Sequence, residues 1–371
     1  MKGFVCSLLL FAASTVAACP SGLAVKADST DGNKVVMIDS VCLYRPGDYG
    51  SANWRIPALL CLDDGSLLAV NDKRKYNEGD LPEDIDVVIR RSTDLGRTWS
   101  DPQTLIEGQG RGRGYGDPAL VLCPNGDVLC LLAGHNGYFQ STDANPIGVY
   151  LMRSTDRGHT WTDTVNLTSL LWDAGSPYRG AFVASGNGLR LRHGPHAGRI
   201  LFAAAVLRRS EWVSDNYVIY SDDNGYTWHR SECAFLGGDE AKLMELADGT
   251  VLVSVRRQGS RGFNHSSDGG HTWGTQGTWP EMTVNACNGE MLRIDDTTLI
   301  HSLPNSLRRE NVSLFVSHDE GRSWSAPVLL CDGPSQYSSL TLLPDGTVGA
   351  FVERNLDGGP CQLWFYRFNL E

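Results

Sequence analysis

Residues 92–99 read STDLGRTW, and the pattern of this stretch recurs along the chain. Its shared form is S-x-D-x-G-x-[T/S]-W. Five copies of a pattern with five constrained positions are not a chance event, so the chain is built from structural repeats. The other copies are 154–161 (STDRGHTW), 221–228 (SDDNGYTW), 266–273 (SSDGGHTW) and 317–324 (SHDEGRSW).

Each copy has the residues of a hairpin tip. The Asp side chain can accept backbone N–H bonds of a turn, and the Gly can adopt a positive φ. Alternating apolar segments such as 218–220 (VIY) and 314–316 (LFV) precede most copies and predict strands. The Trp is expected to pack beneath the following strand. The repeats are therefore structural and are expected to lie away from any functional site.

Successive copies begin 62, 67, 45 and 51 residues apart. This spacing is too long for a helical repeat and suits a unit of four strands. Units of this kind arranged radially form a β-propeller. We therefore predict an all-β fold, a six-bladed β-propeller of four-stranded antiparallel sheets. The run 361–370 is expected to close the ring with the strand near 35–43.

The N-terminus has the composition of an export signal. A short apolar run at 4–16 ends in small residues, which predicts a signal peptide over 1–18. Cys19 follows directly, so the letters VAAC also fit a bacterial lipoprotein box, and plain cleavage after residue 18 remains the alternative. Residues 19–40 are predicted to be a polar tether, and 41–371 the propeller. The protein is thus expected in the periplasm, at the cell surface or secreted.

Charge and cysteine spacing narrow the classes of partner. The net charge of -11 argues against nucleic acid or an anionic membrane as the main partner. The chain has no CxxC spacing and no histidine ligand spacing, so a metal site is not expected. Cys123 and Cys130 flank a hairpin turn signal and could pair across it. Buried free thiols are the favoured interpretation for most of the eight cysteines outside the signal region.

Together, these features resemble the sialidase family, also called neuraminidases. In sialidases the repeats are known as Asp-boxes, and an Arg-Ile-Pro motif precedes them, as 54–58 (WRIPA) does here. The segments 72–74 (DKR) and 79–86 (GDLPEDID) resemble the bacterial sialidase region that carries an acid/base aspartate. The resemblance runs from about residue 40 to the C-terminus. It implies a retaining exo-α-sialidase that removes terminal sialic acid by means of a tyrosine nucleophile.

The resemblance assigns three arginines to the substrate carboxylate. Arg55 matches the first arginine of the family triad, Arg256 in VSVR the second, and Arg309 in RENVSL the third. Arg257 and Arg308 are the register alternatives to the last two. Arginine suits this task because its planar, permanently charged N–H donors match a carboxylate bidentately.

The resemblance also assigns the nucleophile and its base. Tyr337 in SQYSSL matches the nucleophile, and Glu240 in EAKLMEL matches the carboxylate that accepts its proton, with Glu245 as the fallback. Glu353 matches a carboxylate that holds Arg55 in place. A neutral tyrosine avoids the repulsion that an anionic nucleophile would meet at a carbon bearing a carboxylate.

The resemblance assigns three further residues, Asp80, Arg74 and Asp117, to the rest of the sugar. Asp80 matches the acid/base that protonates the leaving oxygen and later activates water, and Asp84 and Asp86 lie close by in the same polar segment. Arg74 and Asp117 match positions that contact the 4-hydroxyl and N-acyl side of the sugar.

The expected partners are sialylated glycans: mucin-type glycoproteins, gangliosides and sialyl-oligosaccharides. A lipid anchor through Cys19 would add a membrane attachment. Three functions remain distinct at this point. The same site could hydrolyse its substrate or instead act as a trans-sialidase or intramolecular trans-sialidase. The propeller could also bind sialic acid without catalysis, although the presence of Tyr337, Glu240 and Asp80 argues against that.

Overall fold

The computed structural model describes residues 32–371, and their regular secondary structure is almost entirely β-strand. In chain order the strands are β1 (Val35–Tyr44), β2 (Asn53–Cys61), β3 (Leu67–Arg74), β4 (Ile85–Ser92), β5 (Gln103–Ile106), β6 (Gly114–Leu122), β7 (Val128–His135), β8 (Ile147–Ser154), β9 (Val165–Asn166), β10 (Tyr178–Val183), β11 (Gly186–Asn187), β12 (Leu189–Arg190), β13 (Ile200–Arg208), β14 (Ser214–Ser221), β15 (His229–Arg230), β16 (Ala241–Glu245), β17 (Val251–Val255), β18 (Gln258–Ser266), β19 (Gly277–Asn285), β20 (Glu290–Arg293), β21 (Leu299–Pro304), β22 (Glu310–Ser317), β23 (Val328–Leu342), β24 (Val348–Arg354) and β25 (Gln362–Leu370). The helical elements are α1 (Thr168–Leu171) and 3-10 turns at Asp48–Gly50, Gly194–His196 and Leu356–Gly358.

The strands form six blades, as predicted. Blade 1 is β2–β5, and blade 2 is β6–β9 with β11 added parallel to β6. Blade 3 contains β10 and β13–β15, with β12 on its edge, and blade 4 is β16–β19. Blade 5 is β20–β22 completed by the first half of β23. The second half of β23 begins blade 6, which continues through β24 and β25 to β1.

The ring is closed by the two ends of the described chain. Strand β1 runs antiparallel to β25, from Val35 opposite Leu370 to Tyr44 opposite Leu363. This closure was expected from the sequence, but the boundary of the tether needs correction. Residues 35–40 were assigned to the tether of 19–40, whereas they pair with β25 and belong to the propeller. The predicted signal peptide, 1–18, and Cys19 lie outside the described residues.

The Asp-boxes have the hydrogen bonding that their residues suggested. In blade 1, Ser92 Oγ donates to Asp94 Oδ1 over 2.8 Å and accepts the Gly96 N–H over 2.9 Å. Asp94 accepts the backbone N–H and the hydroxyl of Thr98, over 2.9 and 2.6 Å. Trp99 Nε1 donates to the Gly96 carbonyl over 2.9 Å. One carboxylate and one hydroxyl thus satisfy most of the polar groups of the turn.

The backbone of the boxes also has a feature that the motif did not predict. The residue before the box glycine is left-handed in every copy, whatever its type. Its φ is 60° at Leu95, 60° at Arg157, 61° at Asn224, 71° at Gly269 and 63° at Glu320. Non-glycine residues rarely adopt this conformation. The hydrogen bonds of the Ser and Asp side chains offset its cost.

Five boxes in six blades follow from the way the ring closes. Each box joins the third strand of a blade to the fourth, for example β4 to β5 and β22 to β23. In blade 6 the third strand is β25 and the fourth is β1, which are far apart in sequence. No loop connects them there, so the sixth blade has no position for a box.

The eight cysteines of the described residues are all free thiols. Cys123 and Cys130 do not pair across their hairpin, because Cys130 lies opposite Leu120 in the neighbouring strand. The interpretation of the cysteines as mostly buried free thiols fits this arrangement. Within residues 32–371, no helix has the length and apolar character needed to span a membrane.

The box of blade 2 provides a test of the anchoring hydrogen bonds. Ser154 is buried and its Oγ bonds both Asp156 and the Gly158 N–H. We expect Ser154→Ala to lower the free energy of unfolding by about 1–3 kcal/mol, because buried polar groups lose their partner. The measurement is urea unfolding. Thr155→Ala, at the exposed neighbouring position, is the matched control, and an equal loss in both variants would contradict the role of the hydroxyl.

Candidate active site

Five of the predicted site residues meet at the end of the propeller opposite the boxes. Arg55 and Tyr337 lie on the innermost strands of blades 1 and 6, on β2 and β23. Asp80 lies in the connection from β3 to β4, Arg256 in that from β17 to β18, and Arg309 in that from β21 to β22. These connections join second to third strands. The boxes join third to fourth strands and therefore lie at the other end.

Tyr337 is buried and has a carboxylate and a guanidinium on its hydroxyl. The hydroxyl donates to Glu240 Oε2 over 2.6 Å and accepts from Arg256 Nη1 over 2.8 Å. Arg256 also pairs directly with Glu240. Burial raises the pKa of Tyr337 well above its usual value, and Glu240 adds to this effect while Arg256 opposes it. The phenol is therefore neutral at rest and has an acceptor for its proton in contact.

Arg55 is held by Glu353, as the resemblance implied. Its Nε and Nη2 donate to the two oxygens of Glu353 over 3.2 and 3.1 Å, and Glu353 is fully buried. Glu353 also accepts the Ile56 N–H over 2.6 Å and lies 3.5 Å from the backbone nitrogen of Tyr337. This one carboxylate thus fixes the first arginine relative to the tyrosine.

Arg309 has a different environment from the other two arginines. Its Nη1 donates to Gln336 Oε1 over 2.9 Å, and its Nη2 lies 3.5 Å from the Ala286 carbonyl. Gln336 in turn donates to Asn355 Oδ1 over 2.7 Å. The guanidinium carbons of Arg55 and Arg309 lie 5.2 and 5.5 Å from the centre of the Tyr337 ring. The partners of Arg309 are neutral, so its charge remains available to an anion.

Asp80 lies at the mouth of the site, with 77% of its side chain exposed. Its Oδ1 is 2.7 Å from Arg74 Nη2 and 3.8 Å from Arg55 Nη1. Partial desolvation raises the pKa of Asp80, but the charges of Arg74 and Arg55 outweigh it and the pKa is lowered. In the free protein this carboxyl is therefore ionised at neutral pH.

Asp117 is placed by a residue that the sequence reasoning did not assign, Asp72. Asp72 Oδ1 accepts the Asp117 N–H over 3.0 Å, and its Oδ2 accepts from Arg74 over 3.2 Å. Burial raises the pKa of Asp72 to about 7, although Arg74 opposes this. Burial and the nearby carboxylates raise the pKa of Asp117 well above its usual value. Burial thus disfavours the ionised form of both carboxyls, and the Asp72 carboxyl fixes the backbone of Asp117.

Asp72 and Glu353 occupy equivalent positions in neighbouring blades. Each lies on the second strand of its blade and accepts a backbone N–H from the first strand of the next blade, from Asp117 and Ile56 respectively. Both donors have a positive φ, 54° and 59°, at a bulge followed by a proline. In both blades the residue that donates this N–H is followed by Pro-Ala. This shared signal could have identified Asp72 from the sequence as the counterpart of Glu353.

The alternatives left open by the sequence lie elsewhere. Arg257 lies over the Phe235 ring, and Arg308 is exposed to solvent. The Glu245 carboxylate accepts the backbone N–H groups of Arg192 and His193, away from Tyr337. The remaining two carboxylates, Asp84 and Asp86, both pair with Lys75.

No group of three or more potential ligands among the described residues could hold a metal ion. The arrangement instead concentrates guanidinium groups around one phenol. It can bind a carboxylate beside Tyr337 and transfer protons at two separate places, Glu240 and Asp80.

Comparison with known proteins assigns the family. A model described as a BNR repeat-like domain matches residues 73–350, more than half of the chain. The chain belongs to the bacterial-type sialidase family with BNR repeats. It is 33% identical over 331 residues to a sialidase of Micromonospora viridifaciens, covering 83% of this chain and 50% of that protein. It is 28% identical over 344 residues to a sialidase of Bacteroides fragilis, covering 84% and 61%.

A solved structure of the same family has the same fold. The chain superimposes on the Hadza microbial sialidase Hz136 with a TM-score of 0.80 and 26% identity, covering 88% of this chain and 68% of that one. The chain spans about half to three fifths of the length of the two curated relatives it matches. The relation to these sialidases is therefore established for the propeller.

The contact between Glu353 and Arg55 gives a test of how this sialidase-family site is held. Glu353→Gln removes the negative charge. It also places an amide N–H group, which is itself a donor, against the N–H donors of Arg55 and Ile56. We expect the free energy of unfolding to fall by about 3–5 kcal/mol, because a buried pair loses one partner. Glu211→Gln, which breaks the exposed 3.0 Å pair with Arg208, is the control and should cost under about 1 kcal/mol. Equal unfolding midpoints in urea would contradict the prediction.

Proposed function

We propose that this protein is a retaining exo-α-sialidase that removes terminal sialic acid from glycans, with Tyr337 as its nucleophile. The observation that carries the proposal is the contact of the Tyr337 hydroxyl with Glu240 and Arg256. A buried phenol with a base in contact and cations on its other sides suits attack on a carbon that bears a carboxylate. The substrates would be sialylated glycoproteins, gangliosides and sialyl-oligosaccharides.

Binding would be directed by the substrate carboxylate. Arg55, Arg256 and Arg309 all lie against Tyr337, and arginine pairs with carboxylates bidentately. Arg309 has no carboxylate partner of its own within the described chain, so the anion gains most from this residue. Neutral sugars would leave its charge unpaired in a partly desolvated site, which would make the site selective for acidic sugars.

In the first displacement, Tyr337 would attack the anomeric carbon while its proton passes to Glu240 over their 2.6 Å hydrogen bond. Asp80 would protonate the leaving glycosidic oxygen. In the second, Asp80 would remove a proton from water, which attacks the same carbon, and the phenolate would recover its proton from Glu240. Two displacements at one carbon give net retention of configuration.

Replacement of the nucleophile tests the proposal directly. On a fluorogenic aryl α-sialoside, we expect Tyr337→Phe to lower kcat/KM by on the order of a thousand-fold, because the hydroxyl that forms the bond is absent. Tyr226→Phe, at an exposed tyrosine of the third Asp-box, is the matched control and should have wild-type kinetics. NMR of the first-formed sugar should show the α-anomer.

Two results would point to other functions. Saturable sialic acid binding by the wild type without release of the fluorophore would indicate a lectin. A 2,7-anhydro sugar or a sialylated acceptor as the first product would indicate intramolecular or intermolecular transfer by the same nucleophile. An active Tyr337→Phe variant would contradict the assignment of the nucleophile.

The pH profile should reveal how binding prepares the acid. Arg74 and Arg55 lower the pKa of Asp80 in the free protein. A bound substrate carboxylate offsets these charges and raises that pKa, so the protonated form persists to higher pH. With sialyllactose, we expect the alkaline limb of kcat to lie at higher pH than that of kcat/KM. Coincident limbs, or an unchanged limb in Asp80→Asn, would contradict this.

We also propose that the protein is exported and that Cys19 is lipidated, on the strength of the VAAC segment at residues 16–19. Metabolic labelling with a palmitate analogue in a bacterial host should label the wild-type protein and not Cys19→Ser. A wild-type protein that is cleaved but unlabelled would support plain signal peptide cleavage instead.

A further inference from the structure

A fourth arginine lies beneath the site, and neither the resemblance nor the mechanism uses it. Arg261 is on β18 and its side chain is fully buried. Four arginines of residues 32–371 are buried, and three of them pair with carboxylates: Arg74 with Asp72, and Arg199 and Arg367 with aspartates of their own surroundings. Arg261 has no carboxylate within 4.0 Å among the described residues.

The contacts of Arg261 are neutral and incomplete. Its Nε donates to Ser254 Oγ over 2.9 Å, and its Nη1 donates to the Cys287 carbonyl over 2.8 Å. Its Nη2 is buried with no hydrogen-bond partner in the described part of the chain. A buried cation without a paired charge is costly, and a protein retains one where it serves another group.

The hydrogen-bond chain below Arg261 is neutral as well. Ser254 Oγ lies 2.8 Å from His301 Nε2, and His301 Nδ1 lies 3.3 Å from the Ser302 carbonyl. Burial, together with the charge of Arg261, lowers the pKa of His301 well below its usual value, so this ring is uncharged. None of these hydrogen-bonded groups carries a negative charge that would compensate the positive charge of Arg261.

The charge that partly offsets the burial of Arg261 is on the other side, in the Tyr337–Glu240 couple. Burial lowers the pKa of Arg261 to about 10, and the strongest opposing influence is the charge of Glu240. Arginine remains charged at that value near neutral pH. The two groups therefore interact through space, and the cation stabilises negative charge shared by Glu240 and Tyr337.

Arg261 also supports the wall behind the nucleophile. Cys287, whose carbonyl it holds, packs with its side chain against Tyr337 and Ile56. The preceding residue, Ala286, has a left-handed φ of 60° and presents its carbonyl to Arg309. The Arg261 side chain thus links strands β17 and β18 of blade 4 to the segment 286–287. That segment borders both Tyr337 and Arg309.

We propose that Arg261 is a positioning residue for the Tyr337–Glu240 couple, acting through its fixed charge and through its hold on Cys287. This inference rests on the proposed sialidase function. The charged and titratable groups that face Glu240 and Arg261 come from blades 2, 4, 5 and 6 and the connections between them. They are Asp117, Asp239, Arg256, Cys287, His301 and Tyr337, and Arg309 in turn faces Cys287 and Tyr337.

Two substitutions separate the charge from the hydrogen bond. Arg261→Gln keeps a donor for the Cys287 carbonyl but removes the charge. Arg261→Lys keeps the charge but loses the planar guanidinium that donates to both Ser254 and Cys287. The substrate is an aryl α-sialoside, whose departure needs little help from Asp80, so the acidic limb of kcat/KM reports the Tyr337–Glu240 couple as a whole. We expect this limb to move up by about one pH unit in Arg261→Gln and to stay in place in Arg261→Lys.

The kinetic constants provide a second readout. In both variants kcat should fall about ten-fold or more while KM changes less than three-fold, because Arg261 does not touch the substrate. Arg199→Gln is the matched control: this buried arginine pairs with Asp222 at the Asp-box end. It should lower the unfolding midpoint and leave both kcat and the acidic limb unchanged.

The outcomes separate this proposal from the proposed function. An inactive wild type would mean that the sialidase proposal fails. If the wild type is active, and Arg261→Gln has the same acidic limb and the same kcat as Arg199→Gln, the proposed role of Arg261 is overturned. If Arg261→Gln does not fold, Arg261→Lys decides: the proposal requires a wild-type limb with a reduced kcat. A shifted limb or an unchanged kcat in that variant contradicts it.

Discussion

Closure of the ring by β1 and β25 is the constraint on which the site depends. Arg55 and Glu353 are 298 residues apart in sequence, and their pair bridges blades 1 and 6. Because β1 belongs to blade 6 and leads directly into β2 of blade 1, closure places these two blades side by side. It also explains why six blades carry five boxes. In blade 6 the third strand, β25, and the fourth, β1, are joined by strand pairing and not by a loop that could hold a box.

The site is organised by an uneven distribution of counter-charges. Arg55 and Arg256 each have a glutamate in contact, whereas Arg309 has an amide and a carbonyl and Arg261 has a hydroxyl and a carbonyl. Paired arginines are fixed in position, and unpaired ones retain an electrostatic demand for an anion. The protein as a whole carries a net charge of -11, so attraction of an anion must come from these local guanidinium groups and not from the overall charge.

Much of this arrangement was predictable because it is encoded in local patterns. The Asp-box residues bond one another within eight positions, so their spacing alone predicts the turn. Arg55, Arg256, Arg309, Tyr337, Glu240, Asp80 and Glu353 each lie in a recognisable segment, and the structure brings all seven to one end of the propeller. The alternatives Arg257, Arg308 and Glu245 are set apart by their surroundings: Arg257 lies over the Phe235 ring, Arg308 is exposed, and Glu245 accepts the backbone N–H groups of Arg192 and His193.

The sequence by itself determined the repeat, the all-β class and the number of blades, since these depend on short-range spacing, while the site residues were predicted from the resemblance of their local segments to those of sialidases. The pairing of Glu353 with Arg55 was implied by the resemblance, whereas only the tertiary structure decided that Arg256 pairs with Glu240 and that Arg309 and Arg261 have neutral partners. Asp72 and Arg261 lacked a motif because their importance comes from burial and from partners in other strands or blades. The start of the propeller at residue 35 was likewise decided by pairing with β25, a contact between chain ends that no local pattern contains.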